Sequence, residues 1–174
     1  MEKKEIASAA DFHQDWHFTK KNLYDKCGFE LRELKLEEGK AYGACCFKLD
    51  GKTILFRVAK LTPKKTGQFV AIWKRNEQGI TQPFEDTDEI DFMVISIRDA
   101  DNFGQFIFPE TALLKHGIIS NGQREGKRGI RVYPPWDKVS NKQAETTQSW
   151  QAEYFLNIGT AHAGVLDLLC KKLV

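Results

Sequence analysis

The sequence predicts an α+β or α/β fold in which a central mixed β-sheet is flanked by helices. Two patterns support this prediction. Amphipathic helical stretches lie near both ends of the chain, and apolar, strand-like runs separated by turn residues lie between them. The 174 residues are 41% hydrophobic, which is enough to bury a substantial core. We therefore expect residues 1–174 to form a single domain.

A helix is expected near the N-terminus. Residues 11–26 place Phe12, Trp16 and Leu23 on one apolar stripe, as in a helix that packs against a core. Gly28 follows this stretch and is typical of a helix end. The apolar stripe would therefore face the sheet and the polar side would face solvent.

A β-hairpin is expected directly after this helix. Its turn is Asp50-Gly51, a pair that is typical of the two-residue type I′ turn. Such a turn places Phe47 opposite Ile54 and Tyr42 opposite Ala59 on the paired strands. The hairpin would supply two neighbouring strands of the central sheet.

Strands and helices follow in a mixed order after the hairpin. Ser140 and Gln143 match a capping box, which predicts that a helix begins there. The order of the strands within the sheet does not follow from the sequence. The expected elements are strands at residues 68–74, 90–97, 104–109 and 129–133, and helices at residues 110–116, 140–155 and 161–173.

Lysine and arginine are concentrated in two segments. The first basic segment, residues 52–75, holds seven Lys or Arg residues and no Asp or Glu, although the net charge of the chain is only +2. Residues 77–101 carry eight acidic residues against one arginine, and the second basic segment, residues 115–138, carries six basic residues against two acidic ones. If folding brings the two basic segments together, they would attract a polyanion. Ion pairing with the acidic segment is the alternative.

The first basic segment could contact phosphates through its Lys and Arg side chains, with an aromatic side chain beside them for bases. Gly67 would let the backbone approach a bulky anion, and Trp73 could stack on a base. Gln68 could hydrogen-bond a phosphate or a base edge. A core tryptophan among solvated lysines is the alternative. The candidate DNA contacts are Arg57, Lys60, Lys64, Lys65, Gln68, Trp73, Lys74 and Arg75.

The second basic segment has comparable features. Lys127 and Arg128 lie between two glycines, which permits close contact of the backbone with a ligand. Arg131 and Tyr133 are two residues apart on a predicted strand, so they share one face. Residues 134–136 form a rigid, aromatic-tipped loop. An ordinary loop with an edge strand is the alternative. The candidate contacts are Lys127, Arg128, Arg131, Tyr133 and Trp136.

A metal-dependent nuclease of the restriction type is a second interpretation. Such an enzyme needs two or three carboxylates at a strand end to hold Mg²⁺, with a lysine close by. The acid-x-Lys triplet that is usual in these enzymes is absent, because residues 58–60 and 72–74 end in lysine but begin with Val and Ile. The possible ligands are Glu37, Glu38, Asp91 and Asp99.

Other chemistry has little support in the sequence. The P-loop pattern is missing, and we expect no bound cofactor or metal. Cys27, Cys45, Cys46 and Cys170 lack C-x-x-C spacing, which favours reduced thiols in a cytoplasmic protein over a disulfide framework. The first twenty residues lack an apolar h-region and no run reaches the length of a membrane span, so we expect neither a signal peptide nor membrane insertion.

Several stretches resemble the MepB family of small bacterial proteins. They read FRVAKLTPKKTGQFVAIWKR, PFEDTDEIDF, GQFIFP, GIISNGQREGKRGIRVYPPWD and QSWQAEYF, and they occur in family order over roughly residues 40–156. The T-P-K-K-x-G-Q-F-V and G-K-R-G-x-R-V-Y-P-P-W-D blocks are long and unusual, which makes the resemblance specific. The resemblance is compatible with a restriction-endonuclease-like α/β fold that binds DNA.

These features together predict a cytoplasmic DNA-binding protein that holds the phosphate backbone in a basic, aromatic-lined groove. If six or more phosphates were neutralised, affinity would fall by roughly 10³-fold or more between 50 and 200 mM salt. The alternatives are the Mg²⁺-dependent nuclease and a module that binds a small phosphate compound or a protein partner. No sequence feature favours an enzyme outside phosphate chemistry.

Overall fold

The structure is a computed structural model that describes residues 7–159 and 163–174. Strands dominate the middle of the chain and helices lie near its ends. The helices are α1 (Gln14–Thr19), α2 (Asp25–Cys27), α3 (Glu110–Lys115), α4 (Lys142–Ala152) and α5 (Ala163–Lys172). The strands are β1 (Leu31–Leu36), β2 (Cys45–Leu49), β3 (Lys52–Val58), β4 (Lys60–Thr62), β5 (Lys65–Ala71), β6 (Trp73–Arg75), β7 (Thr81–Pro83), β8 (Phe92–Asp99), β9 (Asn102–Pro109), β10 (Gly129–Val132) and β11 (Phe155–Asn157).

A six-stranded mixed sheet forms the centre of the fold, with the strand order β1-β2-β3-β8-β9-β11. β3 and β8 run parallel, and the other neighbouring pairs of this sheet are antiparallel. Helices flank the sheet, so the predicted α+β fold with a central mixed sheet is confirmed. In the described part of the chain, no helix is both long enough and apolar enough to cross a bilayer.

The central sheet is buried on both faces. On one face, Trp16 and Leu23 from the N-terminal helix belong to the same apolar cluster as Val165 of α5. On the other face, Met93 of β8 lies in a second cluster with Leu113 of α3. The predicted apolar stripe is therefore confirmed for Trp16 and Leu23, whereas Phe12 packs against the same cluster from an extended segment before the helix begins. This helix runs from α1 through a π-helical stretch into α2.

The predicted β-hairpin is present, with one difference. Phe47 pairs with Ile54, and the two turn residues at positions 50 and 51 both have positive φ, as a type I′ turn requires. The predicted pairing of Tyr42 with Ala59 is wrong. Tyr42 ends a short 3₁₀ turn, and Gly43 then adopts a left-handed conformation, so β2 begins only after it.

A second, three-stranded sheet has the order β10-β5-β4. The strand predicted at residues 68–74 is divided at Ile72 between β5 and β6, and the Ile72 amide donates a hydrogen bond to the carbonyl of Arg128 at 2.9 Å. β10 pairs antiparallel with β5, with Val132 opposite Gln68. The two basic segments of the sequence therefore contribute adjacent strands, β5 and β10, to this sheet.

Two predictions near the C-terminus are refined. The N-cap of α4 is Asn141 rather than Ser140, because the Asn141 side chain accepts the hydrogen bond from the Ala144 amide at 2.9 Å. The predicted capping box is therefore wrong. The helix is present but ends at Ala152, and Phe155, which was predicted to lie within it, begins β11. α5 matches the helix predicted at residues 161–173, of which residues 161 and 162 lie outside the described part.

Candidate nucleic-acid interface

A cleft of about 710 Å³ opens between the three-stranded sheet and α4. The first basic segment contributes Lys64 and Lys65 to its lining, and the second contributes Lys127 and Arg131. Within the residues that the structure describes, no Asp or Glu lines this cleft. The antiparallel pairing of β5 with β10 brings these four cations together.

Arg131 is held in place by the β4–β5 hairpin. Its Nη1 atom donates hydrogen bonds to the Thr62 hydroxyl and the Gly67 carbonyl, both at 3.0 Å, and to the Thr66 carbonyl at 3.3 Å. These bonds use only one of the three guanidinium nitrogens. Among the described residues, the Nε and Nη2 groups of Arg131 have no hydrogen-bond partner, and the planar guanidinium is already oriented.

Gly67 has a different role from the one that the sequence predicts. Its φ is +80°, and a Cβ atom at this position would lie 2.7 Å from the ring of Tyr133. The glycine therefore makes room for an aromatic side chain that lines the cleft, rather than for an anion. Tyr133 follows β10, so the contact also joins this segment to the hairpin.

The opposite wall of the cleft is joined to β10 by Gln151, which is 1% exposed. Its Oε1 accepts a hydrogen bond from the Tyr133 amide at 2.8 Å, and its Nε2 donates one to the Arg131 carbonyl at 3.1 Å. No pattern in the sequence marks this residue as part of the site. A glutamine on an amphipathic helix has no local signal that distinguishes a buried bridge from a surface residue.

The first turn of α4 adds polar groups to the cleft. Ser140, Asn141 and Gln143 all line it. The backbone amides in the first turn of a helix lack intrahelical partners, and the helix dipole places partial positive charge there. Asn141 satisfies the amide of Ala144. This helix end therefore adds to the positive potential of the cleft.

His116 and Trp150 form a stacked pair at the edge of the cleft. Their ring centroids are 3.8 Å apart and the rings are within 8° of parallel. Burial lowers the pKa of His116, and the positive charge of Lys115 lowers it further, whereas Glu153 opposes the shift. Both rings line the cleft, but neither carried a sequence motif that indicated this position.

Two of the predicted contact residues lie in the interior instead. Arg57 is 1% exposed, and its Nη2 forms an ion pair with Glu37 at 2.6 Å. Gln68 is also 1% exposed, and its Nε2 donates a hydrogen bond to the Arg98 carbonyl at 2.6 Å. Both side chains are buried and engaged, which corrects their predicted place on a phosphate-binding surface.

Three further basic residues are paired with carboxylates outside the cleft, but only Lys74 pairs with the acidic segment, residues 77–101, as the alternative interpretation expected. These pairs join Lys74 to Glu85 and Asp88 at 2.7 and 2.6 Å, Arg75 to Glu38 at 2.6 Å, and Arg128 to Glu125 at 3.0 Å. Partial burial lowers the pKa of Lys74, but its two carboxylate hydrogen bonds outweigh that effect and the net pKa is raised.

The remaining predicted residues also lie outside the cleft lining. The ammonium of Lys60 lies 5.0 Å from the ring centroid of Tyr42, and the guanidinium of Arg75 lies 5.1 Å from that of Trp73. Trp136 is half-buried and packs edge-to-face against Phe155, with ring centroids 5.4 Å apart. Of the three predicted aromatic contacts, Tyr133 is therefore the one that lines the cleft.

Comparison with known proteins agrees with the resemblance of the sequence blocks. The chain matches the MepB-like family over residues 36–157. It belongs to the MepB-like family. A crystal structure of MepB is 31% identical, with a TM-score of 0.73, and the match covers 87% of this chain and 99% of that one.

Two further comparisons add little to this. The bacterial homing endonuclease I-Ssp6803I is 15% identical, with a TM-score of 0.39, over 75% of this chain and 82% of that one. The search of curated proteins found no match.

Three of the four carboxylates considered as metal ligands in this MepB-like chain have other partners. Glu37 pairs with Arg57, and Glu38 pairs with Arg75. Asp91 accepts a hydrogen bond from the Thr53 amide at 2.8 Å. Across residues 7–159 and 163–174, no group of three or more His, Cys, Asp or Glu side chains is arranged to hold a metal ion.

Proposed function

We propose that this MepB-like protein binds DNA by gripping its phosphates in the cleft between the three-stranded sheet and α4. The observation that carries the proposal is the lining of that cleft. It gathers four cations from two distant segments of the chain, and its described residues include no carboxylate. Such a site attracts phosphates whatever the base sequence.

The pairing of charges elsewhere in the molecule supports the proposal. Arg57, Lys74, Arg75 and Arg128 each have a carboxylate partner. In the part of the chain that the structure describes, Lys64, Lys65 and Lys127 form no ion pair, and neither does Arg131. The cleft therefore brings together four cations that have no carboxylate partner among the described residues. A chain with a net charge of only +2 thus presents a local anion-binding site.

The cleft is also pre-organised for an anion. The Arg131 guanidinium is fixed through Nη1, so little side-chain freedom is lost when its remaining N–H groups bind a phosphate. The first turn of α4 adds partial positive charge on the opposite wall. A cytoplasmic location, where DNA is accessible and the four free cysteines stay reduced, fits this function.

Binding of labelled DNA across a salt series tests the proposal. If the four cleft cations each neutralise one phosphate, the slope of log Kobs against log salt is about −3.6 for a duplex and about −2.8 for a single strand, a loss of roughly 150-fold and 50-fold respectively between 50 and 200 mM salt. Both slopes are shallower than the one that the sequence predicts, because four of the predicted basic residues are paired elsewhere.

A charge-matched pair of variants locates the binding site. Lys64→Ala/Lys65→Ala/Lys127→Ala removes three cleft cations and should abolish most of the binding and of the salt dependence. The control, Lys21→Ala/Lys26→Ala/Lys52→Ala, removes three exposed lysines outside the cleft and should bind almost as well as the wild type. Equal losses in the two variants would contradict a site in the cleft. Incubating plasmid with the protein and Mg²⁺ or Mn²⁺ tests the nuclease alternative, for which nicked product is required.

A further inference from the structure

We infer that the cleft takes single-stranded DNA in preference to duplex, an inference that rests on the proposed DNA-binding function. Three properties of the cleft favour an unpaired strand: its size, the aromatic side chains in its lining, and the uncommitted polar groups beside them. Each of these would be of little use to a protein that binds the outside of a double helix.

The size of the cleft suits a few unpaired nucleotides. Its volume of about 710 Å³ lies within the range of roughly 300–1,000 Å³ that is typical of pockets enclosing small organic ligands. Its walls come from opposite sides, with Lys64 and Arg131 on the sheet side and Gln143 and Thr147 on α4. A flexible single strand can enter between such walls, whereas a rigid duplex would touch only their rims.

Aromatic side chains line the same cleft as the cations. Tyr133 lies beside Arg131 on the sheet side, and Trp150, stacked with His116, lies on the α4 side. Aromatic rings bind nucleic acid chiefly by stacking on bases, which requires bases that are free of their own stack. In a duplex the bases are stacked on one another, so these rings would have no partner there.

Polar side chains on the α4 wall are free to contact base edges. Within the described residues, the side chains of Ser140 and Gln143 form no hydrogen bond, and Asn141 uses only its oxygen, to cap α4. The Watson–Crick edges of single-stranded bases can accept such bonds, whereas those in a duplex are already paired. In one cleft, the cations can thus bind the phosphates of an unpaired strand, the aromatic rings can stack on the faces of its bases, and the amides can hydrogen-bond the edges of those bases.

The test compares three ligands with the full chain at one moderate salt concentration. They are a labelled mixed-sequence DNA strand of about a dozen nucleotides, the same strand annealed to its complement, and a deoxynucleoside monophosphate as an unlabelled competitor. That length falls within the range of roughly 4–16 nucleotides over which compact single-strand-binding domains contact DNA. We expect the single strand to bind at least about 10-fold more tightly than the duplex, and the mononucleotide to compete only weakly.

A variant pair separates stacking from general damage to the fold. Tyr133→Leu should weaken single-strand binding by on the order of 10-fold, the loss of one stacked base, and should change duplex binding by less than about twofold. Tyr133→Phe, which keeps the ring, should bind the single strand almost as well as the wild type. If Tyr133 had a merely structural role, Tyr133→Leu would instead weaken the binding of single strand and duplex by the same factor. That result would overturn the assigned role of the ring.

The outcomes distinguish this inference from the proposed function. If the duplex binds as tightly as the single strand, and Lys64→Ala/Lys65→Ala/Lys127→Ala binds neither of them, the preference for a single strand is wrong but DNA binding stands. If neither form binds at low salt, the proposed function fails and the inference fails with it. If the mononucleotide competes as strongly as the oligonucleotide, the cleft is a small-phosphate site and both are overturned.

Discussion

The side chain of Gln151 accepts a hydrogen bond from the backbone amide of Tyr133 at 2.8 Å, and this contact joins the two walls of the cleft. The same side chain donates to the carbonyl of Arg131 at 3.1 Å, so one amide group satisfies two backbone groups of the opposite wall. The geometry of the cleft therefore depends on one buried side chain that bonds to the backbone of the opposite wall.

Replacing Gln151 with Leu should destabilise the fold. The variant keeps the volume but leaves a backbone N–H and a C=O near β10 without partners, which we expect to cost about 1–3 kcal/mol in the free energy of unfolding. Urea denaturation measures this loss. Ser149→Ala, an exposed change in the same helix, is the control and should remain within about 0.5 kcal/mol of the wild type. If the two variants were equally stable, the bridge would not be a stabilising element.

The sequence predicts the elements of this fold better than it predicts the candidate site. The central hairpin is predictable because the Asp50-Gly51 turn fixes its register locally. The meeting of the two basic segments depends on the pairing of β5 with β10, which lie about sixty residues apart, and no local pattern encodes that pairing. The charge count alone does not reveal that Glu37 and Glu38 neutralise arginines of the first segment.

The residues missed by sequence analysis are missed for a related reason. His116 and Trp150 contribute to the cleft because α3 and α4 converge there, although 34 positions separate the two residues in the chain. Conversely, Arg57 looks like a surface cation in a basic stretch, but the central strand that carries it is covered on both faces. Burial depends on the packing of the complete sheet, which the composition of a 24-residue window does not determine.

Gly67 offers a direct test of how closely Tyr133 packs against the hairpin. Gly67→Ala should destabilise the protein in two ways. A side chain at φ +80° costs roughly 1–2 kcal/mol, and the new Cβ would lie 2.7 Å from the Tyr133 ring, so the ring must move. We therefore expect a loss of unfolding free energy beyond the backbone cost alone, measured by urea or thermal denaturation.

Gly79→Ala is the matched control for Gly67→Ala. Gly79 has nearly the same backbone conformation, φ +76°, but nothing lies within 4 Å of an added Cβ. The difference in stability between the two variants thus isolates the contact with Tyr133. Equal losses of unfolding free energy in the two variants would mean that the Tyr133 ring can move away from the new Cβ atom at no cost. In that case Gly67→Ala should also leave DNA affinity unchanged.

The pH dependence of stability should carry a contribution from His116. Because its pKa in the folded protein is lowered from 6.5, the unfolded chain binds the proton more readily. This contribution to stability is fully present above about pH 6.5, the unfolded pKa, and is lost as the pH falls through the lower folded pKa. Denaturation curves between pH 8 and pH 5 measure it. His116→Asn should remove this part of the pH dependence.

DNA affinity should respond to pH in the opposite direction. His116 lines the cleft, so a bound phosphate near it would favour the protonated imidazole and raise its pKa. Lys115 disfavours that protonation and Glu153 favours it. We therefore expect binding to strengthen between pH 7.5 and pH 5.5 in the wild type. The strengthening should be clearly smaller in His116→Asn, and an identical pH profile in the two proteins would contradict a phosphate close to this ring.

The neighbouring residues Glu37 and Glu38 should differ sharply in their effect on stability. Glu37 neutralises Arg57, whose side chain is only 2% exposed, whereas Glu38 pairs with Arg75, whose side chain is 45% exposed. Glu37→Gln leaves a buried guanidinium without its counter-charge. Loss of one partner from a buried pair costs roughly 3–5 kcal/mol, and because 27% of the Glu37 side chain is exposed we expect the lower end of that range.

Glu38→Gln removes the same charge one position further along the chain and should cost less than about 1 kcal/mol, since exposed ion pairs contribute little. Urea denaturation of both variants compares them directly. Both changes lie outside the cleft, so single-strand affinity at 25 °C should stay close to that of the wild type wherever the variant is folded. Equal stability losses would indicate that Arg57 gains solvent or another partner when Glu37 is removed. A specific loss of DNA binding in folded Glu37→Gln would instead mean that the Arg57–Glu37 pair belongs to the binding site.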